Sequence, residues 1–241
     1  MTATLHPGHD RSTLRFERRL NHGVERVWLA VTDPDELVQW FPSAVVYEPR
    51  VGASMRFDFG GKYGLDPLPG EVVEWDPPRV FAFAWGEDLL RFELSPTGDT
   101  GTLLVFTHSF SHEPGKPARD AAGWEACFEA FDALLDGRER PDGSERWAAH
   151  HDAYVKQFGE LTLEADGVER HVRLRGPLVE ADDRPAVLVT LGDVDGVLIV
   201  RDRDAAFQDG AAIEVREGTT DEPGALLAEG VLHDPLAAAV R

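Results

Sequence analysis

His108 is the side chain with the most evident chemistry in this sequence. It stands in the segment "TLLVFTHSF", two residues after Phe106 and two before Phe110. Since residues two apart in a β-strand point to the same face, the imidazole shares its face with bulky apolar side chains. An imidazole there can orient a carbonyl or hydroxyl group of a ligand, or act as a general acid or base. The same pattern fits a histidine that is hydrogen-bonded inside a core or at its rim, so both interpretations stay open.

Cysteine and metal chemistry have weaker support. Cys127, the only cysteine, lies in an apolar stripe without a Cys-His-Asn arrangement and is predicted to be a packing residue. His108 and His112 have the spacing of same-face strand residues and Glu113 follows, but such groups often arise by chance and "EPGKP" is typical of a loop. Phosphate loops, nucleotide fingerprints and G-x-S-x-G elbows are absent from the sequence. We therefore predict no metal and no cofactor, and we disfavour an ATPase or a serine hydrolase.

The composition limits the partners. Asp and Glu number 44 against 24 Lys and Arg, and a net charge of -20 repels nucleic acid and anionic membrane surfaces. The longest apolar runs, such as "GVLIV", are too short to cross a bilayer, and the first residues lack the apolar segment of a signal peptide. We expect a cytoplasmic protein with no bound nucleic acid and no membrane insertion, which can form a homodimer or bind a protein partner.

Strand and helix signals fill the chain up to residue 158. "STLRFERRL" alternates like a strand, with Leu14, Phe16 and Arg18 on one face, and "VERVWLAV" has helical spacing. In "DPDELVQWF", Asp33 is the predicted N-cap and Glu36, three residues later, completes a capping box. These signals predict a strand followed by two short helices.

Between residues 44 and 110 the apolar period is two, which predicts strands. The residues aligned in this way are Met55, Phe57 and Phe59; Val73 and Trp75; Phe81, Phe83 and Trp85; Leu90, Phe92 and Leu94; and Leu104, Phe106, His108 and Phe110. Turn signals such as "GGKYGLDPLPG" and "SPTGDTG" separate the segments, and the opposite positions carry mostly charged residues. The pattern predicts an antiparallel meander with one bulky apolar face and one polar face.

A helix over "AGWEACFEAFDALLDG" is predicted to cover the apolar face. Its inward residues are Trp124, Cys127, Phe128, Phe131, Leu134 and Leu135, at helical spacing. Glu125, Glu129 and Asp132 are predicted to fall on the opposite face of this helix. A last helix continues an apolar stripe from Trp147 to Phe158.

This order of elements resembles the helix-grip fold of the START-like, or SRPBCC, superfamily. The motifs that carry the resemblance are "VERVWLAVTDPDELVQWFP", "GEVVEWDPPRVFAFAW", "LLVFTHSF" and "GWEACFEAFDALLDG". Within the superfamily, the chain is similar to the group of the activator of the heat-shock-protein-90 ATPase over residues 12–158. The resemblance implies an α+β fold in which a curved antiparallel sheet wraps around the long C-terminal helix, leaving a cavity for an apolar or amphipathic small molecule.

The resemblance favours a binding protein over an enzyme. The expected ligand-binding residues are Trp40, Phe57, Trp75, Phe83, Trp85, Phe92, Phe106, His108, Trp124, Phe128 and Phe131. The same rings can instead simply fill a core. Two other functions stay open: a lyase-, cyclase- or hydrolase-type enzyme that uses His108 as its weak catalytic candidate, and a chaperone cofactor or protein-interaction module.

Residues 159–241 are predicted to form a small β-rich accessory domain of unknown role. Of the 22 aromatic residues in the chain, this part holds only Phe207. Hairpins are predicted around Asp166 and Gly167 and around "DVDG", while "ALLAEGVLHDPLAAAV" is ambiguous between helix and strand.

Overall fold

A computed structural model of the protein describes residues 3–8, 11–60, 66–111, 113–159, 161–174, 179–181, 184–191, 194–202, 208, 210–219 and 222–234. The chain forms two compact units. One contains Met1–Ser111 and Asp120–His150, and the other contains His112–Arg119 and His151–Arg241. Within the described residues, no helix combines the length and the apolar character that crossing a membrane requires.

The first unit is built on an eight-stranded antiparallel sheet with the order β1-β2-β8-β7-β6-β5-β4-β3. Its strands are β1 (Thr4–His6), β2 (Arg11–Leu20), β3 (Ala44–Tyr47), β4 (Ser54–Asp58), β5 (Leu68–Asp76), β6 (Val80–Trp85), β7 (Asp88–Thr97) and β8 (Gly101–Ser111). The described residues contain the helices α1 (Val24–Thr32), α2 (Pro34–Trp40), α3 (Lys116–Leu135) and α4 (Gly143–Phe158). An antiparallel sheet with helices is what the sequence predicted, and this part of the α+β prediction is confirmed.

Strand β8 shows the predicted alternation. Its even-numbered residues from Thr102 to Phe110 are all buried, whereas the residues between them are partly exposed. In the register with β7, Leu90 lies opposite His108 and Phe92 lies opposite Phe106. Directly opposed residues share a face, so the bulky side chains of the two strands form one apolar surface.

Strand β5 departs from the prediction. Val73 was expected on the apolar face, but it is 47% exposed, whereas Val72 is fully buried. The pairing of β5 with β6 shifts between Val72 and Glu74. An extra residue of this kind moves the following side chains to the other face of the strand. The prediction from the period-two pattern that Val73 lies on the apolar face was therefore wrong, and Val72 is the buried valine.

Helix α3 packs on the apolar face of the sheet through aromatic rings. The ring centroids of Trp124 and Phe106 lie 4.6 Å apart, and those of Phe128 and Phe16 lie 5.4 Å apart. These contacts place Trp124 and Phe128 against strands β8 and β2, whereas Cys127 and Leu134, also predicted to face inward, are partly exposed.

Glu125 lies elsewhere than expected. It was predicted on the polar face of α3, yet it is 7% exposed. Arg18, on the inward face of β2, provides the reason: its guanidinium lies 3.5 Å from Glu125 Oε2, pairs with Asp132, and lies 5.1 Å from the centre of the Phe128 ring. Because an arginine that faces a core requires counterions, it draws acidic residues of the covering helix towards the sheet.

Asp33 forms the predicted cap of α2. Its carboxylate accepts hydrogen bonds from the backbone nitrogens of Asp35 and Glu36, at 2.8 and 3.3 Å. The Glu36 carboxylate instead accepts a hydrogen bond from Arg26, at 2.6 Å. In the predicted capping box, the Glu36 carboxylate would accept a hydrogen bond from the backbone N–H of Asp33. The ion pair with Arg26 takes the place of that hydrogen bond.

The second unit contains β9 (Leu161–Ala165), β10 (Val168–Leu174), β11 (Val179–Ala181), β12 (Arg184–Leu191), β13 (Val194–Val200), β14 (Ala212–Gly218) and β15 (Pro223–His233). Antiparallel pairing runs from β9 through β10, β12, β13, β14 and β15 back to β9, so these strands close a ring, and β11 adds to β12. The buried core of this unit is aliphatic, with residues such as Leu163, Val187, Leu198 and Ile213.

Three sequence predictions fall on this part of the chain. The hairpin at Asp166 and Gly167 is present between β9 and β10. The second hairpin joins β12 and β13 through residues 192–193, which lie outside the described residues, as does Phe207. The segment that was ambiguous between helix and strand is a strand, β15, as far as His233.

Candidate functional site

The predicted ligand-binding residues lie in one connected cluster of rings between the sheet and α3. Nine of them are at most 3% exposed, and Trp75 and Trp85 are partly buried. The closest contacts of the cluster include Phe106 with Trp124, at 4.6 Å between centroids, and Phe92 with Phe106, at 4.7 Å. Trp75 joins through Phe81, whose ring lies 5.2 Å from it. We call this set of rings, together with Phe41 and Phe81, the aromatic cluster.

Phe41 belongs inside the cluster, although it was not among the predicted ligand-binding residues. It is 3% exposed. Its ring lies 5.7 Å from that of Trp124 and 5.9 Å from that of Trp85. The backbone N–H of Phe41 donates to the carbonyl of Leu37 at the end of α2, and this end positions the ring.

His108 lies at one end of the aromatic cluster and is fully buried. Its Nε2 lies 2.9 Å from Asp88 Oδ2, and Trp124 Nε1 donates to its Nδ1 at 3.0 Å. Because an indole nitrogen only donates, Nδ1 must be the accepting nitrogen, and the ring hydrogen is on Nε2. His108 therefore donates to Asp88, and both ring nitrogens are engaged in a chain of hydrogen bonds from β7 through β8 to α3.

Three structural elements position this chain. Asp88 opens β7 and lies directly opposite Trp85 in the β6–β7 hairpin. Trp124 lies four residues after Asp120 on α3, so both side chains lie on one side of the helix. Asp120 Oδ2 is 3.8 Å from His108 Nδ1.

Asp88 and Asp120 were not singled out in the sequence. Asp88 stands in phase with Leu90 and Phe92 along β7, and Asp120 in helical phase with Trp124. This spacing was the only feature of the sequence that could have pointed to the two aspartates. The spacing within one strand or one helix does not reveal that β7, β8 and α3 bring both carboxylates close to the imidazole of His108.

A metal ion is the first chemical possibility for this group. One ligand atom from each of Asp88, His108 and Asp120 lies within 4.8 Å of the others. An ion at His108, however, needs a nitrogen lone pair, and in this arrangement Nδ1 accepts from Trp124 while Nε2 carries hydrogen. The hydrogen-bond geometry favours a structural chain over a metal centre. Of the group weighed in the sequence, His112 lies outside the described residues and Glu113 pairs with Arg119 at 2.9 Å.

Trp85 carries a buried polar atom of a different kind. Its Nε1 is buried and has no hydrogen-bond partner within the described parts of the chain. The Trp85 ring lies 5.8 Å from that of Trp124 and 6.2 Å from that of His108, between centroids. A buried N–H without an acceptor is unfavourable by about 1–3 kcal/mol, so such groups call for a specific explanation.

Cys127 has the properties of a packing residue. Burial raises the pKa of its thiol to about 12, an effect that the charge of Arg140 only partly opposes. The thiol is therefore protonated at neutral pH and is a poor nucleophile.

Comparison with known proteins gives a family match. Residues 21–136 match the family model described as "Activator of Hsp90 ATPase homolog 1-like protein". No curated protein matches the chain.

Solved structures with similar folds cover between 61% and 64% of the chain. A conserved protein of unknown function from Enterococcus faecalis is 19% identical with a TM-score of 0.54, over 64% of this chain and 91% of that one. The solution structure of CalU16 from Micromonospora echinospora is 20% identical with a TM-score of 0.50, over 64% and 91%. A Bordetella parapertussis protein solved by NMR is 25% identical with a TM-score of 0.51, over 61% and 87%. At these identities the likeness shows a shared fold.

Proposed function

Because residues 21–136 belong to the family of activator of Hsp90 ATPase homologue 1-like proteins, we propose that the first unit binds an apolar or amphipathic small molecule in its aromatic cluster. The proposal includes the helix-grip arrangement, in which the sheet wraps around α3 and the ligand lies between them. The observation that carries it is the composition of the cluster: a continuous set of buried rings that ends at a few converging polar groups. Ligand sites typically combine apolar walls with a small number of fixed polar atoms in this way.

The polar end supports an amphipathic ligand. Asp88, His108 and Trp124 form a hydrogen-bond chain there, and Trp85 Nε1 lies in the same neighbourhood. The apolar end, around Trp40 and Phe131, provides rings only, with centroids 4.9 Å apart. A molecule with one polar end and an apolar body matches this arrangement of polar groups at one end of the cluster and rings at the other.

A fluorescence titration with the neutral probe N-phenyl-1-naphthylamine tests the proposal. Phe41→Leu keeps an apolar side chain but removes a ring at the centre of the cluster, and we expect it to weaken probe binding by about threefold or more. Phe158→Leu is the matched control, since Phe158 stacks on Tyr154 and is not part of the aromatic cluster. Saturable binding that Phe41→Leu leaves unchanged would place the probe elsewhere, and a titration without saturation would refute the proposal.

No described contact gives comparable support to the other functions considered. In the enzymatic alternative His108 would be the acid or base, but both of its ring nitrogens are engaged. The chaperone-cofactor alternative rests on the family alone, as do a homodimer and a cytoplasmic location.

We also propose the division into domains of residues 12–158 and 159–241. All six tryptophans precede residue 159. During unfolding in urea, tryptophan fluorescence should therefore report the first domain, whereas circular dichroism reports both. Coincident transitions at every pH would contradict independent domains.

A further inference from the structure

We infer that the ligand presents a hydrogen-bond acceptor, such as a carbonyl or ether oxygen, to Trp85 Nε1, and that His108 is a positioning residue without ligand contact. The inference rests on the proposed function and adds to it the chemical class of the ligand: a ring-bearing molecule with an acceptor on its rim. The sequence analysis considered His108 as the hydrogen-bond partner of the ligand, and the inference assigns this contact to Trp85 instead.

The first step concerns His108. Its side chain is fully buried, its Nε2–H is donated to Asp88, and its Nδ1 lone pair is occupied by Trp124. A ligand that hydrogen-bonded to this imidazole would have to break one of these two hydrogen bonds. The role left to His108 is to hold the Trp124 indole in one orientation.

The second step compares the indole nitrogens of the cluster. Trp40 Nε1 donates to the carbonyl of Ala30 at 2.8 Å, and Trp124 Nε1 donates to His108 at 3.0 Å. Trp85 Nε1 is equally buried but has no acceptor within the described residues. Because an indole nitrogen is a donor only, it can be satisfied by an acceptor atom and not by an ammonium group or a hydrocarbon.

The third step is that Trp85 is held firmly enough to select a ligand. It ends β6, and a tight hairpin pairs it with Asp88 at the start of β7. Gly86, with a φ of 60°, occupies the turn, and its backbone N–H donates to the carbonyl of Pro69 at 3.0 Å. Aromatic rings of Phe41, Phe57 and Trp124 surround the indole at centroid distances of 5.9, 6.3 and 5.8 Å. A flat ring system with a peripheral acceptor suits these neighbours.

The experiment compares two probes of nearly equal shape, 2-acetylnaphthalene and 2-isopropenylnaphthalene, which differ in having a carbonyl or a carbon–carbon double bond. Their dissociation constants are measured with the full chain by displacement of N-phenyl-1-naphthylamine. We expect the affinity ratio of ketone to hydrocarbon to fall by about fivefold in Trp85→Phe, since one hydrogen bond is lost.

His108 variants test the positioning role. Gln can accept from Trp124 and donate to Asp88, so His108→Gln should keep both affinities close to those of the unchanged chain. His108→Leu should weaken both probes by the same factor and leave their ratio unchanged. A ratio that falls in His108→Leu as it does in Trp85→Phe would show that His108 contacts the carbonyl.

The outcomes separate this inference from the proposed function. If both probes bind and their ratio is the same in the unchanged chain and in Trp85→Phe, the inference is overturned while the proposed function stands. If neither probe binds, both are overturned. Should Trp85→Phe fail to fold, the indole ¹H–¹⁵N resonance of Trp85 in the unchanged chain decides: it should move downfield with the ketone and not with the hydrocarbon, and equal shifts would overturn the inference.

Discussion

Trp124→Phe tests the hydrogen-bond chain that links α3 to the sheet. The substitution removes the indole N–H that lies 3.0 Å from His108 Nδ1, and the imidazole is fully buried. The accepting lone pair is then left without a partner, which costs about 1–3 kcal/mol. The smaller ring loses about 1 kcal/mol more in packing. We expect the free energy of unfolding to fall by about 2–4 kcal/mol, measured by urea denaturation with circular dichroism.

Trp28→Phe is the matched control for this prediction. Trp28 is partly buried, contacts Trp75 at 5.1 Å between centroids, and its indole nitrogen has no hydrogen bond to a described residue. We expect it to lose about 1 kcal/mol or less. If the two variants differ by less than about 0.5 kcal/mol, the hydrogen bond contributes nothing measurable and the account of His108 as a link between helix and sheet is wrong.

Three further predictions concern charge and thiol chemistry. Arg18→Met should destabilise the first unit by about 2–3 kcal/mol, because it leaves the buried Glu125 carboxylate without this counterion, only 3.5 Å away. The pKa of Glu214 is lowered, chiefly by its hydrogen bond from Arg216, so its stabilisation is present above the unfolded value of about 4.3 and is lost as the pH falls through the folded value. Glu214→Gln should flatten the acid dependence of the urea midpoint below about pH 5. Cys127, with a pKa of about 12, should react with iodoacetamide at pH 8 at least about 100-fold more slowly than in the urea-unfolded chain, as followed by mass spectrometry.

Each of these predictions has its own comparison. Arg19→Met changes an exposed arginine of the same strand and should cost less than about 0.5 kcal/mol; equal losses for Arg18 and Arg19 would contradict the buried ion pair. An acid dependence that is the same in Glu214→Gln and in the unchanged chain would contradict the stabilising role of the hydrogen bond from Arg216 to Glu214. Rapid alkylation of folded Cys127 would contradict the raised pKa of its thiol.

The spacing of apolar residues predicted many strands and helices of the first unit. This was possible because an element that is buried on one face must place its apolar residues at regular intervals. Phe106 and His108 share a face of β8, and Trp124 and Phe128 share a face of α3, as their spacing indicated. The family resemblance, confirmed over residues 21–136, added the pairing of this sheet with this helix.

The misses share a physical cause: they depend on pairing and contacts that exist only in the folded chain. Val73 is exposed because a register shift interrupts β5, and Glu125 is buried because Arg18, more than a hundred residues earlier, needs a counterion. The polar end of the aromatic cluster has the same origin. Asp88 and Trp124 meet His108 only once two strands and a helix have packed, so no local pattern could assign these partners.

The central claim is that the aromatic cluster binds a small molecule at its Trp85 end. A ¹H–¹⁵N titration of the full chain with 2-acetylnaphthalene, observed at the six indole resonances, tests it most directly. We predict saturable shifts with a 1:1 end point, largest for Trp85 and smaller for Trp124, and no shift for Trp147 on α4. An unchanged Trp85 resonance at saturating probe, or a shift confined to Trp147, would contradict the claim.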